Sequence, residues 1–144
     1  MKLLEDDSAV MTKARDLCET IAGDAEYQTL MNKVETFLGD DEARMTYQAV
    51  QQQGQELNQK QQSGLQLAES EIAEFESART QLLENPVASD FLEAQQSLDT
   101  LQTSVSRLVG MTLELGRVPT AEDIAQASSG GCCGGGGGGG CGCD

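Results

Sequence analysis

Residues 86–116 read PVASDFLEAQQSLDTLQTSVSRLVGMTLELG. Within them Val87, Phe91, Ala94, Leu98, Leu101, Val105, Leu108, Thr112 and Leu115 follow spacings of 4, 3, 4, 3, 4, 3, 4 and 3. Such a pattern keeps one apolar stripe along a single helix and forms a heptad seam suited to antiparallel bundle or coiled-coil packing. Pro86 fits the first helical turn, and its ring disfavours helical backbone at Asn85, so the helix starts there. Gly116 ends it. At ~1.5 Å per residue this rod is roughly 45 Å long.

Helical periodicity extends over nearly all of the preceding sequence, and no stretch alternates in the manner of a strand. Ser8 is a good N-cap for a first helix to Ala22, with Val10, Ala14, Leu17 and Ile21 on one face. Gly23 ends that helix and Asp24 caps a second, with Tyr27, Leu30, Val34 and Phe37 on its stripe before Gly39. Asp40 opens a longer helix to about residue 63 that carries Ala43, Tyr47, Val50 and Leu57, and its glutamine-rich stretch 48–62 reads as exposed. Ser63-Gly64 marks a break. A fourth helix over about 69–84 presents Ile72, Phe75, Leu82 and Leu83. After the fifth, Pro119-Thr120 introduces a short terminal helix, with Thr120 as N-cap and Asp123 in its first turn. The fold class is therefore all-α: long helical hairpins forming an antiparallel bundle.

Composition limits what such a chain can do. It has 144 residues, nine basic and 24 acidic, for a formal charge of −15 shared by both halves. An anionic surface repels phosphates, so direct binding to nucleic acid or to an anionic membrane through a basic patch is not expected. Histidine is absent, which excludes His-based triads, general bases and His metal ligands, and no nucleophile–base pair or cofactor fingerprint is present. The chain does not read as an enzyme. Leu, Ile, Val and Phe number 29, too few to cover several long rods in one copy, so a homodimer or a hetero-oligomer of related subunits is expected. No apolar run approaches the roughly 20 residues of a membrane span, and Glu5-Asp6-Asp7 follows the start too closely for a secretory signal. A cytoplasmic protein with reduced or metal-bound cysteines is expected. The carboxylate runs Asp40-Asp41-Glu42 and Glu69-Glu71-Glu74-Glu76 sit at helix starts, where negative charge is favourable, and read as solvated faces.

The segments Ile72-Ala73-Glu74-Phe75, Leu82-Leu83-Glu84-Asn85-Pro86-Val87 and Phe91-Leu92-Glu93-Ala94-Gln95-Gln96-Ser97-Leu98, in the order of five helices, resemble the YlbF/YmcA family of small bacterial control proteins over roughly residues 5–116. The resemblance implies an all-α fold, self-association and no catalysis. It also implies assembly of homologous subunits with a larger third protein in a complex carrying iron–sulfur clusters on cysteines. Through a membrane-associated ribonuclease such complexes influence messenger RNA processing, competence, sporulation and biofilm formation. The seam residues Val87, Phe91, Leu98, Leu101, Val105 and Leu108 are the expected association surface.

Ten of the 16 glycines lie between Gly130 and Gly142 and divide the chain into a helical domain, 1–127, and a Gly/Cys-rich tail, 128–144. The tail holds Cys132-Cys133, seven glycines, then Cys141-Gly142-Cys143. In an extended segment, side chains two apart point the same way, so Cys141 and Cys143 reach one centre, whereas adjacent Cys132 and Cys133 point apart unless the backbone turns. Glycine permits the fold-back at an entropic cost that metal–thiolate bonding offsets. Thiolates without imidazole select zinc, copper(I) or an iron–sulfur cluster. Composition alone puts zinc first, and the resemblance moves a 4Fe–4S cluster ahead of it, with all four cysteines as candidate ligands. Two other readings stand beside this one: a thiolate carrier that passes zinc or copper onward, and a helical scaffold with an incidental tail. The fifth cysteine, Cys18, reads as a small buried apolar filler.

Overall fold

The computed structural model describes residues 1–129. Among them the chain forms one short 3-10 turn, Lys2–Leu4, and six α-helices: α1 (Ala9–Gly23), α2 (Ala25–Gly39), α3 (Asp41–Gln62), α4 (Glu69–Glu84), α5 (Pro86–Leu115) and α6 (Ala121–Ser129). No strand occurs among the described residues. The fold is all-α, and the helix boundaries fall within a residue or two of those expected from caps and breakers.

Three of the junctions use a single residue. Asp24, Asp40 and Asn85 each have extended backbone, each ends one helix with its own N–H and caps the next with its side chain. Asp24 Oδ1 accepts from the N–H groups of Glu26 (2.8 Å) and Tyr27 (3.2 Å), and Asp40 Oδ1 from that of Ala43 (2.9 Å). Asn85 Oδ1 accepts from Val87 (3.0 Å) and Ala88 (3.2 Å), with Pro86 at the position whose missing donor costs nothing. The α3–α4 connection is longer. Gly64 adopts φ +75°, the Gly64 N–H donates to Gln61 O and the Leu65 N–H to Lys60 O, a Schellman closure that requires left-handed backbone.

Packing divides the chain at Thr100: Met1–Thr100 forms one compact unit and residues from Leu101 onward a second. In the first unit α3 and α4 pack as an antiparallel hairpin in which Gly54 approaches Phe75 and Lys60 reaches Glu71. A Cβ on Gly54 would lie 3.3 Å from the Phe75 ring, so glycine sets that approach. The core consists of Phe37, Ala43, Val50, Leu82, Ala88 and Phe91, with Tyr47 and Phe75 packed against it. Phe37 and Phe91 stack with centroids 3.8 Å apart, and Tyr47 meets each edge-on at 5.6 Å. No polar or charged side chain is buried among the described residues.

In the second unit α6 turns back alongside the last turns of α5. Arg107 Nη1 donates to Ser128 Oγ at 3.1 Å, and Pro119 is buried. Thr120 and Asp123 form the expected reciprocal cap: Asp123 Oδ2 accepts from the Thr120 N–H (2.7 Å), and the Asp123 N–H donates to Thr120 Oγ1 (3.3 Å).

Candidate functional site

The described residues present open helix faces. They contain no group of three or more His, Cys, Asp or Glu side chains able to hold a metal ion. The acidic runs serve local structure: Asp40 caps α3, Asp41 pairs with Arg44, and Glu71 pairs with Lys60 while accepting from the Ala68 N–H at 3.1 Å. The Lys60 hydrogen bond, seconded by that backbone donor, holds the Glu71 carboxyl below its usual value. Cys132, Cys133, Cys141 and Cys143 lie outside the described residues.

The expected association seam divides in two along α5. Phe91 and Ala94 are buried in the core of the first unit, with Val87 and Leu98 half-buried. Farther along, Leu101, Leu108 and Leu115 are exposed and Val105 is half-buried. The same stripe thus supplies intramolecular core at its start and open apolar surface at its end. At its start it is also pinned by charge, because Lys33 on α2 lies 3.6 Å from both Asp90 and Glu93.

The first helix departs from expectation. It buries no residue, and Cys18 is exposed, not the buried filler that its neighbour Leu17 suggested. Consecutive helical residues are about 100° apart, so a residue next to the stripe is not on it. The stripe itself is open at Val10 and Leu17 and half-buried at Ile21. The glutamine-rich part of α3 is exposed as expected at seven of its eight glutamines; Gln53 is half-buried where α3 meets α4.

Sequence reasoning missed a groove of about 450 Å3 between α3 and α4, floored by Val50, Phe75 and Leu82 and edged by Gln51, Asn58 and Arg79. Gly54 in the middle of a helix was its signal, since an interior glycine on a helix marks a close approach.

Capped rods, a core of apolar residues and open aliphatic faces define a small all-helical protein. Comparison with known families agrees with that class. The model for "Control of competence regulator ComK, YlbF/YmcA" matches residues 10–114, and the chain belongs to this family. The family is a regulatory one and not a known enzyme family. No curated relative and no solved structure matches the chain. Among the described residues, no helix is long and apolar enough to cross a membrane.

Proposed function

We propose that this protein is a non-enzymatic regulatory adaptor of the cytoplasm. It assembles with its own copies or homologous subunits and with a larger partner, and it carries an iron–sulfur cluster on Cys132, Cys133, Cys141 and Cys143. The observation that carries this reading is the family match over residues 10–114 together with a helical body that leaves aliphatic faces of α1 and α5 uncovered. Aliphatic side chains held in water at Leu101, Leu108 and Leu115 gain about 25 cal/mol for each Å2 that a partner covers.

The donor set suits the cluster. Four thiols with no histidine in the chain form a purely sulfur environment, the ligation that iron–sulfur centres use. A bound cluster supplies a redox-sensitive link among thiolates, so assembly responds to oxidation. By family analogy, the assembled complex acts on messenger RNA processing and on competence, sporulation or biofilm control.

Anaerobic purification followed by iron and acid-labile sulfide analysis tests the cluster. The expected result is coloured protein holding both, and loss of both when Cys141 and Cys143 are replaced by Ser. Colourless protein with zinc bound, or with no metal, would remove the cluster and favour the thiolate carrier or the plain scaffold.

A further inference from the structure

The groove between α3 and α4 sorts its lining by polarity. We propose that it is a binding site for a small aliphatic carboxylic acid, whose carboxylate rests on Arg79 and whose chain runs toward Leu83 and Leu92. The site uses neither the cysteines nor the exposed stripe of α5, so it stands or falls separately from the adaptor reading.

Three observations carry it. The groove holds about 450 Å3, within the ~300–1,000 Å3 of small-molecule sites. Its lining is divided: Tyr47, Val50, Leu82, Leu83 and Leu92 make one end apolar, while Gln55, Asn58 and Arg79 stand farther along. Leu83 is 50% exposed, so part of the apolar wall still faces water. Charge is the third observation. No Asp or Glu lines the groove, on a chain with 24 of them, and Arg79 is its one charged group. Arg15, Arg44 and Arg117 each pair with an aspartate, and Arg107 donates to Ser128. Among the described residues Arg79 is thus the one arginine whose guanidinium has no side-chain partner.

A guanidinium presents a planar fork of donors that matches a carboxylate. From Arg79 to Leu83 is about one helical turn, ~6 Å, so a chain that starts at Arg79 reaches the leucines within a few methylenes. Leu92 belongs to α5 and follows Phe91, which Tyr47 touches at 5.6 Å, so a third helix stands at the apolar end. An acyl chain stops against it, whereas a helix about 10–12 Å across laid along the same groove runs into α5. The occupant is therefore a free aliphatic acid and not a partner helix. Net charge sharpens the choice of place. At −15 the protein repels anions over most of its surface, and a carboxylate is best received where no acidic side chain lines the cavity.

The probes are octanoate, butanoate, octanol and octylammonium, titrated into the full-length chain and followed by the methyl resonances of Val50, Leu82, Leu83 and Leu92. Octanoate is expected to give saturable shifts at these methyls. It should bind about ten-fold or more tightly than butanoate, because each buried methylene contributes about four-fold. Arg79→Gln should weaken octanoate about two- to five-fold, the scale of an exposed ion pair, and leave octanol unchanged. Leu83→Ser should weaken both ligands, and Leu113→Ser, at an exposed position outside the groove, should weaken neither. Arg79 and Leu83 are exposed, so these variants are expected to keep wild-type helix content by circular dichroism. No saturable shift with octanoate, or equal losses in Leu83→Ser and Leu113→Ser, overturns the site. Octanoate binding unchanged in Arg79→Gln, or octylammonium bound as tightly as octanoate, overturns the carboxylate. A helical peptide of Leu, Ala and Glu that displaces octanoate and binds more tightly overturns the free acid in favour of a partner helix.

Discussion

Phe91 anchors the buried start of the α5 stripe, where it stacks on Phe37 and is touched edge-on by Tyr47. Four of the five aromatic residues in the chain contribute to this core, which otherwise holds small aliphatic groups. With so little else buried, loss of one ring leaves a void that its neighbours cannot fill. Phe91→Ala should lower unfolding stability by about 3–5 kcal/mol, read from urea denaturation followed by far-ultraviolet circular dichroism. A change below about 0.5 kcal/mol, the range of surface substitutions, would mean that the ring stack is not a core element. Gly54 acts through absence: the missing methyl lets the Phe75 ring lie against α3, and a Cβ there would require that ring to give by a few tenths of an ångström.

Among the elements, α6 depends on a charged clamp more than on burial. Arg117 Nη1 and Nη2 donate to Asp123 at 2.7 and 3.2 Å, and the backbone and hydroxyl of Thr120 donate to the same carboxylate. The Arg117 hydrogen bonds, with Thr120 behind them, hold the Asp123 carboxyl far below its ordinary value of 3.8 and push the Arg117 guanidinium up. A carboxyl whose value is depressed by folding stabilises the folded form above its unfolded value, and that contribution disappears as pH falls through the folded value. The α6 cap should thus be intact at neutral pH and loosen only well below pH 3.8, seen as faster amide exchange in α6 on acid titration. Asp123→Asn should exchange faster already at neutral pH and lose the acid-dependent part of the change. Single-residue junctions at Asp24, Asp40 and Asn85 fix the other helix ends more locally, since each side chain serves the helix it begins.

Across the whole molecule, the charge of −15 opposes every contact between copies while the aliphatic faces favour it. Salt shifts that balance in a known direction: the Debye length falls from about 30 Å at 0.01 M to about 8 Å at 0.15 M, weakening repulsion and leaving apolar attraction in place. Association measured by sedimentation equilibrium should therefore tighten as sodium chloride rises over that range. Weakening with salt would point to an interface held by opposite charges, which the uncharged residues of Leu101–Val105 do not provide.

The helices and their ends were legible in the amino acids because caps, glycines and prolines act on backbone within a few residues. Ser8, Asp24, Asp40, Asn85 and Thr120 each do locally what their type favours. The family could be read in the same way, from the Asn85-Pro86 break and the heptads beyond it. Periodicity, however, says only that residues share a face and not what covers it. The heptad from Val87 to Leu115 is one pattern in sequence, yet its start is core, where helices α2 and α3 bring Phe37 and Tyr47 to Phe91, and Leu108 farther along is exposed. The same reason exposes Cys18 and opens the groove beside Gly54: burial depends on neighbours distant along the chain, and only the packed molecule brings them together.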